Sequence, residues 1–421
     1  MRTDLVVIGL GYVGLPLARE ATASGLTVAG LDTSAKLVAR LNSGVSHVDD
    51  ITDAEVAAMR AAGFTATTDE SVVAGAAAVV ICVPTPLAEH GGPDLAMVES
   101  ACAAVGRHLR PDTLVVLEST TYPGTTDEVV RPILERLSGL TAGADFHLAF
   151  SPERVDPGNE VYGIRNTPKV VGGHTPGCTT AAAAFYGKLV DEVVQAAGTR
   201  EAEMAKLIEN TYRHVNIALV NEMAVFCHEL GIDLWDAISA AATKPFGYQA
   251  FRPGPGVGGH CIPIDPNYLA HKVRTLGYPF RMVELAQEIN TRMPRYVVER
   301  VQQLLDRTGR TLSGARVLLL GVTYKADIAD QRETSARDVV RRLRALGAEV
   351  AFHDPYVPAW EVDGAPVTAA TAELPEALAA ADIAVLLQRH RTYDLDQLAD
   401  HAPLLLDTRG ALTPQAHVER L

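Results

Sequence analysis

The stretch "DLVVIGLGYVG", residues 4–14, decides the fold class that the sequence predicts. Apolar, β-branched residues run up to Ile8, a glycine turn follows, and a helical pattern begins near Leu15. The spacing matches GxGxxG, in which glycines let the backbone approach a pyrophosphate at the N-terminus of a helix. A strand, this turn and a helix in succession predict a dinucleotide-binding βαβ unit. The candidate cofactor contacts in the pattern are Gly9, Gly11, Tyr12, Val13 and Gly14.

An acidic residue ends the next predicted strand. Asp32 closes "LTVAGLD", at the point where a carboxylate binds the ribose hydroxyls of a dinucleotide and would repel a 2′-phosphate. The sequence therefore predicts NAD rather than NADP as the cofactor. Lys36 lies close enough in sequence to reach the ribose or the pyrophosphate, and a solvated surface lysine is the alternative interpretation.

The rest of the sequence forms two alternating series with a helical stretch between them. The runs "AAVVICVPTP", "DTLVVLEST" and "FHLAFSPE" continue the first series, and "ARVLLLGV", "AEVAFHDP", "DIAVLLQ" and "PLLLDTRG" form the second. Such buried runs separated by helices are typical of parallel sheets covered on both faces. We therefore predict an α/β fold with two Rossmann-like, doubly wound parallel-sheet domains joined by a central helical region. The predicted domains are 1–200, which binds NAD, 201–305, which is helical, and 306–421, which is again Rossmann-like.

Composition and charge narrow the function classes. The chain has 421 residues, of which 48% are hydrophobic and 21% charged, as in an ordinary globular protein. A formal charge of -14 argues against nucleic acid or an anionic membrane as the main partner. Residues 1–4 do not resemble a signal peptide, and no apolar run is long enough to span a bilayer. Five cysteines without framework spacing, and histidines without metal-ligand spacing, predict a cytoplasmic location and no metal site.

Polar residues follow three strands of the first series. Thr85 comes after the third strand, Thr120 after the fourth and Glu153 after the fifth. Because the carboxyl ends of parallel strands form the ligand-binding edge of a doubly wound sheet, all three are candidate site residues. A helix cap or a turn is the structural alternative for the two threonines.

The segment "PGPGVGGHCIPIDP", residues 253–266, places Cys261 among glycines and prolines. The other four cysteines lie in apolar sequence, where a small buried hydrophobe is expected. A thiolate beside a nicotinamide can add to an aldehyde and give a thiohemiacetal, which becomes a thioester when it loses a hydride. Gly256, Gly258 and Gly259 would let main-chain N–H groups approach the substrate, and His260 is placed to be packed or to bias the thiol. From the residues alone, a buried and inert thiol is the alternative.

The long helix and the cysteine segment carry further polar candidates. Lys206 and Asn210 stand four residues apart on an otherwise apolar helix, where they could hold a developing alkoxide or an ordered water, and Asn221 falls near the same stripe. An exposed helix face is the alternative for these residues. Asp265 follows Cys261 by four residues and could activate water for hydrolysis, although an aspartate before a proline is also a common turn residue.

Two basic residues follow the first strand of the second series. Lys325 and Arg332 lie in "GVTYKADIADQRET". Both would suit the recognition of a phosphate or carboxylate group, with surface charge as the alternative.

Seven motifs, in their order along the chain, carry a resemblance to a known family. They are "GLGYVGLPLA", "VPTP", "EST", "SPERVDPGN", "AKLIENTYRHVNIALVNE", "PGPGVGGHCIPIDP" and "GVTYKADIADQRET". In this order they resemble the nucleotide-sugar 6-dehydrogenases, the family of the UDP-glucose, UDP-N-acetylglucosamine and GDP-mannose dehydrogenases. The resemblance implies oxidation of the C6 alcohol of a nucleoside-diphosphate hexose to the uronate, with two NAD and through a cysteine thioester. It also implies that the C-terminal domain binds the nucleotide sugar.

The resemblance, together with the residue patterns, assigns roles to individual positions. The catalytic candidates are Cys261 as nucleophile, Lys206 and Asn210 as holders of the oxyanion and water, Asp265 as partner in hydrolysis, and Thr120 and Glu153 at the junction of cofactor and sugar. The cofactor-binding candidates beyond the glycine turn are Asp32, Lys36, Thr85, Thr120 and Arg332. The substrate-binding candidates are Glu153, Arg154, Lys206, Asn210, Phe251, Arg252, Gly258, Gly259 and Lys325.

Four positions bear on which sugar is oxidised. Ile264, Pro157 and Pro245 stand where glucose-oxidising members commonly have a lysine, a glutamate and an arginine. "TKPFG" and "GGHCIPIDP" are more similar to the N-acetylhexosamine branch, but Arg252 stands where that branch usually has an aromatic residue. UDP-glucose, dTDP-glucose and UDP-N-acetylglucosamine therefore remain candidate substrates.

The sequence also leaves two rival functions open and predicts an oligomeric state. A single-step NAD-dependent dehydrogenase of the hydroxyacid or phosphogluconate type would use Lys206 as acid and base and would need no thiol. A non-catalytic, dinucleotide-binding regulator is the rival from another class, and the intact set of candidate catalytic residues argues against it. The apolar pattern of the helix at 201–230, together with family habit, predicts a homodimer.

Overall fold

The structure is a computed structural model that describes residues 3–48, 50–87, 92–156, 159, 161–259, 262 and 264–421. The chain divides into two compact units. Unit 1 comprises Met1–Glu209 and Asn267–Pro279, and unit 2 comprises Asn210–Pro266 and Phe280–Leu421. The segment 201–305, which the sequence presents as one helical region, is therefore shared between the two units.

Unit 1 is built on an eight-stranded sheet. Its strands are β1 (Thr3–Ile8), β2 (Val28–Leu31), β3 (Thr65–Thr67), β4 (Ala76–Ile81), β5 (Leu114–Leu117), β6 (His147–Phe150), β7 (Lys169–Gly173) and β8 (Val193–Gln195). They lie in the order β3-β2-β1-β4-β5-β6-β7-β8, and every pair is parallel except β6 with β7. The five predicted strands correspond to β1, β2, β4, β5 and β6, and no sequence pattern indicated the antiparallel step.

Helices cover both faces of this sheet. They are α1 (Gly14–Ala23), α2 (Ala35–Asn42), α3 (Asp53–Ala61), α4 (Ala96–His108), α5 (Arg131–Ser138) and α6 (Pro176–Tyr186). Leu5 and Val7 of β1 pack into a core that includes residues of α1 and α6, while Val6 and Ile8 pack into a second core with α4 and α5. Successive side chains of a strand point to opposite faces, so the continuous apolar run of β1 is buried on both sides.

The helical region connects the two units. α7 (Thr199–Glu229) begins in unit 1 and continues into unit 2, and it ends before Gly231, whose φ of 67° agrees with the predicted glycine stop. It is followed by α8 (Leu234–Ala241), α9 (Asp265–Thr275) and α10 (Arg281–Arg307). None of the described helices is both long and apolar enough to cross a membrane.

Unit 2 contains a second, seven-stranded sheet. Its strands are β9 (Arg316–Leu320), β10 (Glu349–His353), β11 (Trp360–Val362), β12 (Ala365–Ala369), β13 (Ile383–Leu386), β14 (Leu405–Asp407) and β15 (Val418–Arg420), with helices α11 (Ala336–Ala345), α12 (Leu374–Ala380) and α13 (Leu395–His401). Their order is β11-β12-β10-β9-β13-β14-β15. The four predicted strands are β9, β10, β13 and β14. The prediction of two Rossmann-like parallel sheets with a helical region between them is confirmed.

Candidate active site

Three glycines shape the turn that joins β1 to α1. Gly9 has a φ of 86°, and a Cβ there would lie 2.7 Å from the carbonyl oxygen of Cys82. A Cβ at Gly14 would lie 1.9 Å from the carbonyl oxygen of Gly9. Both positions therefore require glycine. At Gly11, by contrast, no atom lies within 4 Å of the place of a Cβ, so the missing side chain leaves open space beside the backbone.

The carboxylate of Asp32 holds this turn from the end of β2. Its Oδ2 accepts a hydrogen bond from the backbone N–H of Leu10 at 3.0 Å, and its Oδ1 accepts one from the N–H of Ser34 at 2.9 Å. Asp32 remains half-exposed. The open backbone at Gly11 fits a pyrophosphate and the accessible carboxylate fits ribose hydroxyls, so the turn has the shape and the chemistry that NAD requires. The other predicted positions around the turn are also accessible, namely Tyr12, Val13 and Lys36.

Thr85 and Thr120 follow β4 and β5 at the ligand-binding edge of the sheet, as predicted, and both are half-buried. The carbonyl oxygen of Thr85 accepts a hydrogen bond from the hydroxyl of Tyr268 on α9. Next to Thr120, the hydroxyl of Ser119 donates to the carbonyl oxygen of Val83 at 2.7 Å. These bonds fix the two loops at the edge where a ligand of unit 1 binds.

Glu153 lies in the loop after β6 with a carboxylate that is held on both oxygens. Oε1 accepts from the N–H of Val155 at 2.6 Å, and Oε2 lies 3.4 Å from Nζ of Lys169. Burial works to raise the pKa of Glu153, but the charge of Lys169, the Val155 N–H and the charge of Lys206 together hold it below its ordinary value. Glu153 is thus a fixed anion, which suits a residue that orients a substrate hydroxyl or accepts its proton.

Sequence reasoning missed Lys169 and Glu118, which lie behind Glu153. Nζ of Lys169 is 3.0 Å from Oε1 of Glu118, and the side chain of Glu118 is completely buried. A lysine at the start of the apolar run "KVVGG" and a glutamate at the end of "TLVVLE" were the available signals. Buried charges are rare unless they are paired, so each of these residues pointed to a partner that the sequence could not identify.

Two other predicted residues of unit 1, Arg154 and Lys206, interact with other groups of the protein. Arg154 pairs with Glu209 at 2.8 Å and donates to the carbonyl oxygen of Pro168 at 2.6 Å. Its guanidinium therefore has protein partners, and a role as a substrate contact stays a prediction. Lys206 is 9% exposed on α7, and its charge acts on Glu153 within the same unit.

In unit 2, two of the predicted catalytic residues contact each other. Nδ2 of Asn210 on α7 donates to Oδ2 of Asp265 at 2.5 Å, and Asp265 at the start of α9 is 2% exposed. An amide that donates to a buried carboxylate fixes its orientation and stabilises its charge. Cys261 and the neighbouring His260 lie outside the described residues, so their predicted roles stay predictions.

The glycine segment before Cys261 is packed against another loop of unit 2. A Cβ at Gly258 would lie 2.7 Å from the carbonyl oxygen of Glu333, and one at Gly259, where φ is 92°, would lie 3.0 Å from the ring of Tyr324. The N–H of Gly259 donates to the carbonyl oxygen of Glu333 at 3.2 Å. We expected these glycines to present free N–H groups to the substrate. For Gly259 that expectation is wrong, because its N–H is already bonded and its lack of a side chain serves close packing.

Asn221, which the sequence places on the stripe of Lys206 and Asn210, has a structural task. It is fully buried, its Oδ1 accepts from the N–H of Gly254 at 2.9 Å, and its Nδ2 donates to Oδ1 of Asn290 at 2.9 Å. These bonds anchor the start of the segment that leads to Cys261. Asn290, on α10, is a residue that sequence reasoning missed, since its only signal was an asparagine on a buried helix face.

The remaining predicted residues of unit 2 lie around the segment 322–335. Arg332 is 56% exposed and binds Asp330 through Nε at 2.9 Å and through a terminal nitrogen at 2.8 Å. With the glycine segment and α10, it lines a cavity of about 530 Å³. Lys325 is half-buried in the same segment, and its carbonyl oxygen accepts from the hydroxyl of Thr323 at 2.7 Å.

Phe251 and Arg252, which precede the glycines, contact aromatic side chains. The ring of Phe251 meets that of Tyr212 edge-on at 5.6 Å, and the guanidinium of Arg252 lies 5.7 Å from the ring centre of Trp235. Arg252 is nevertheless exposed, so its charge stays accessible to a ligand.

The glycine turn, the carboxylate after β2 and the charged residues at the sheet edge define an NAD-dependent dehydrogenase as the class of protein. Comparison with known families identifies which one. The chain matches the NAD binding domain, the central domain and the UDP binding domain of the UDP-glucose/GDP-mannose dehydrogenase family, over residues 3–190, 200–292 and 318–414 respectively. It belongs to this family and is an NAD-dependent nucleotide-sugar dehydrogenase, which confirms the resemblance seen in the motifs.

Individual relatives act on acetamido sugars. A UDP-N-acetyl-D-glucosamine 6-dehydrogenase of Pseudomonas aeruginosa is 37% identical over 356 residues, which are 84% of this chain and 83% of that protein. A UDP-N-acetyl-D-glucosamine 6-dehydrogenase of Salmonella typhi is 39% identical over 85% of this chain and 83% of its own length. The solved structure of a UDP-D-ManNAc dehydrogenase from Pyrococcus horikoshii has a TM-score of 0.89 at 32% identity, covering 100% of this chain and 98% of that one.

Proposed function

We propose that this chain oxidises the C6 alcohol of UDP-N-acetylglucosamine to the corresponding uronate, with two NAD and through a thioester on Cys261. The contact between Asn210 and Asp265 carries the chemical part of the proposal. The contact orients a buried carboxylate, and in the sequence this carboxylate follows Cys261 by four residues, which supports a role for Asp265 in the hydrolysis of a thioester. The acetamido sugar is supported by the names of the two UDP-N-acetyl-D-glucosamine 6-dehydrogenases, by "TKPFG" and by Ile264.

The proposed route begins with the alcohol. Bound NAD supplies the hydride acceptor for each of the two oxidations. In the first, C6 loses a hydride and its hydroxyl loses a proton, which gives the aldehyde. The Glu153 carboxylate is held as an anion to accept or relay that proton, while the ammonium of Lys206 stabilises the negative charge that develops on the oxygen.

The second half of the route uses the thiol. As Sγ of Cys261 bonds to C6 of the aldehyde, the C=O π bond breaks and the thiol proton moves to the oxygen. The resulting thiohemiacetal loses a hydride and its hydroxyl proton to become the thioester. A water then attacks C6 and gives up one proton, the C–S bond breaks to release the acid, and the sulfur takes up that proton. Asp265 accepts the proton of that water, and Asn210 keeps the carboxylate oriented for the transfer.

A panel of nucleotide sugars tests this proposal. NADH formation is measured with UDP-N-acetylglucosamine, UDP-N-acetylmannosamine, UDP-glucose and dTDP-glucose, and Cys261→Ser serves as the control for chemistry that needs the thiol. We expect UDP-N-acetylglucosamine to give the highest kcat/KM and the variant to be nearly inactive, since a hydroxyl is far less nucleophilic than a thiol at neutral pH. Turnover of UDP-glucose or dTDP-glucose alone would contradict the choice of an acetamido sugar. Turnover of UDP-N-acetylmannosamine alone, which the Pyrococcus relative makes a specific rival, would contradict the configuration at C2.

The homodimer is the second part of the proposal, and a groove in unit 2 supports it. A cavity of about 400 Å³ lies between α7 and α10, lined in part by Val225, Phe226, Met293 and Tyr296. Leu219 on α7 is 54% exposed, and Leu230, the residue directly after this helix, is 66% exposed, so large apolar side chains are exposed along this stretch. A second copy of the same helix would cover these side chains. Light scattering at micromolar concentration is expected to give twice the chain mass, and a monomer would contradict the proposal.

A further inference from the structure

Three charged side chains form a buried triad in unit 1 that none of the candidate catalytic roles explains. Nζ of Lys169 lies 3.0 Å from Oε1 of Glu118 and 3.4 Å from Oε2 of Glu153. The exposed fraction of the side chain rises along the triad, from 0% for Glu118 through 7% for Lys169 to 15% for Glu153. One end of the triad is therefore deep in the unit, and the other end reaches the surface where the candidate catalytic carboxylate lies.

The antiparallel step in the sheet explains how Lys169 reaches this place. β6 and β7 pair Ala149 with Gly173 and Phe150 with Gly172. When this register is continued beyond the paired residues, Lys169 falls opposite Glu153. A parallel β7 would have started at the other edge of the sheet and carried its first residue away from the ligand-binding end. The single reversal in an otherwise parallel sheet thus brings an ammonium to Glu153.

We propose that Lys169 is a positioning residue that holds Glu153 as a fixed anion at the ligand-binding edge, while Glu118 anchors the ammonium from the buried side. The proposal rests on the proposed function, because it assigns Lys169 a task through the candidate catalytic residue Glu153. Lys169 itself is 6% exposed, and it acts only through its neighbour.

The two carboxylates do not share the ammonium equally. Burial raises the pKa of Glu118, and the attraction of Lys169 and a 2.5 Å hydrogen bond from the Tyr186 hydroxyl only partly offset it. Burial also works to raise the pKa of Glu153. There the charge of Lys169, the hydrogen bond from the Val155 N–H and the charge of Lys206 outweigh burial, and the pKa is lowered. The two carboxylates repel each other when both are charged, and this repulsion adds to burial in raising the pKa of Glu118, so Glu153 loses its proton first and Glu118 later.

The remaining groups around the triad do not change this order. Burial opposes the charge of Lys169, but the two carboxylates raise its pKa above the ordinary value, so it stays protonated. The thiol of Cys82 contacts Glu118 at 3.7 Å, and burial raises the pKa of that thiol, so it stays neutral. The nearby guanidinium of Arg154 is paired with Glu209. The charge that Glu153 responds to most is therefore that of Lys169.

The test compares two substitutions that each remove one member of the triad. Lys169→Met deletes the ammonium, so Glu153 should hold its proton to higher pH, and the acid limb of kcat/KM against pH for UDP-N-acetylglucosamine should move up by about 1–3 pH units. Glu118→Gln deletes a carboxylate that is still protonated where Glu153 titrates, so the acid limb should stay in place. A purely structural triad would respond to both substitutions in the same way. Lys169→Gln keeps a hydrogen-bond donor but has no charge, so it should shift the acid limb as Lys169→Met does. It replaces Lys169→Met in the test if the methionine variant does not fold.

Infrared spectroscopy gives a readout that does not need turnover. The protein is labelled with ¹³C-glutamate and titrated, and the spectrum of Glu153→Gln is subtracted to isolate the band of Glu153. We expect that band to titrate at higher pH in Lys169→Met and to be unchanged in Glu118→Gln and in Lys188→Met, a control at an exposed lysine of unit 1. A band that moves equally in the triad variants, or in neither, overturns the proposal. A band that moves as expected in a protein that oxidises no nucleotide sugar supports the triad and refutes the proposed function instead.

Discussion

The sheets of unit 1 and unit 2 have the same turn after their first strand, β1 or β9, although the NAD signature follows only β1. After β1 the chain turns at Gly9, and after β9 it turns at Gly321, with φ of 86° and 74° respectively. A Cβ at Gly9 would lie 2.7 Å from the carbonyl oxygen of Cys82, and a Cβ at Gly321 would lie 2.6 Å from that of Gln388. In both units the first turn therefore presses against the loop of the neighbouring strand and admits only glycine.

An aspartate ends the second strand of the motif in both units and makes equivalent bonds. Asp32 accepts from the N–H of Leu10 at 3.0 Å, and Asp354 accepts from the N–H of Val322 at 2.7 Å. Each aspartate also accepts from the N–H two residues further along the chain, at 2.9 Å in both units. These bonds hold the first turn in place whether or not a nucleotide is bound there.

The two units differ in the chain that comes after the turn. α1 begins at Gly14, directly after the glycine pattern, whereas α11 begins only at Ala336 and leaves the segment 322–335 in between. Asp32 is half-exposed, but the side chain of Asp354 is completely buried, with Nε2 of His390 at 3.1 Å. An aspartate at this position is thus first a structural residue. It becomes a ribose ligand only where the turn leaves room, which argues that NAD binds to unit 1.

The largest effect that we expect from this comparison is on stability. Asp354→Ala leaves two backbone N–H groups and His390 without their acceptor, at roughly 1–3 kcal/mol each, so the free energy of unfolding of unit 2 should fall by about 3 kcal/mol or more. Asp32→Ala should cost unit 1 less, because water can reach the freed N–H groups. Both tryptophans of the chain, Trp235 and Trp360, are buried in unit 2, so tryptophan fluorescence during urea unfolding measures the loss in Asp354→Ala. Far-UV circular dichroism follows the unfolding of both units and measures the loss in Asp32→Ala. Equal losses for the two substitutions would contradict the comparison.

The second effect is on cofactor affinity. Gly11→Ala places a methyl group in the open space beside the turn without touching any protein atom, so we expect the Kd for NAD to rise by at least about tenfold with the stability unchanged. Gly163→Ala is the matched control, since it also meets no atom within 4 Å but lies outside the turn. Calorimetric titration with NAD measures both. An unchanged Kd for Gly11→Ala would mean that the pyrophosphate does not approach this backbone.

The sequence predicts most of the local features in this comparison and few of the long-range ones. The strand, the turn at Gly9 and Gly14 and the carboxylate of Asp32 follow from one continuous stretch, because their geometry depends on neighbouring residues. The β11–β12 hairpin was not predicted, although the Asp-Gly pair at its turn is a known signal for a two-residue turn. In the structure Asp363 and Gly364 have positive φ values, 54° and 74°. The three-residue pairing of the hairpin is too short to show a pattern of its own.

Pairings between distant residues could not be predicted. The antiparallel step at β7 depends on the register of two strands, and that register is what brings Lys169 to Glu153. Asn210 and Asp265 were both identified as candidates from their residue types, but the sequence does not reveal that they touch. The glycines before Cys261 were assigned to substrate binding, because the loop that packs on them lies more than sixty residues further along the chain.

A smaller effect concerns the choice between the two cofactors. Asp32→Ala should raise kcat/KM with NADP relative to NAD by roughly fivefold, which is the size of about 1 kcal/mol of repulsion at a half-exposed site. The wild-type protein should show a clear preference for NAD. Comparable kcat/KM values for the two cofactors in the wild type would show that Asp32 does not exclude a 2′-phosphate.

The smallest effect is the pH dependence that Asp354 contributes. Burial alone would raise its pKa, but the hydrogen bonds from His390 and from the N–H groups of Val322 and Tyr356 hold it below the ordinary value of 3.8. A carboxyl group with a lowered pKa stabilises the folded state fully above its unfolded pKa and loses that contribution as the pH falls through the folded value. The stability difference between wild type and Asp354→Ala should therefore be constant above about pH 5 and shrink below about pH 4. A stability difference between wild type and Asp354→Ala that grows as the pH falls would contradict a lowered pKa for Asp354 in the folded state.

The most direct test of the account is the stoichiometry of the reaction. Purified protein is given a limiting amount of UDP-N-acetylglucosamine with excess NAD, and NADH, uronate and free aldehyde are each quantified. We expect two NADH and one uronate for each sugar consumed, no free aldehyde, and loss of both products in Cys261→Ser. One NADH for each sugar, with the aldehyde released and the serine variant still active, would show instead a single-step dehydrogenase that does not use the thiol.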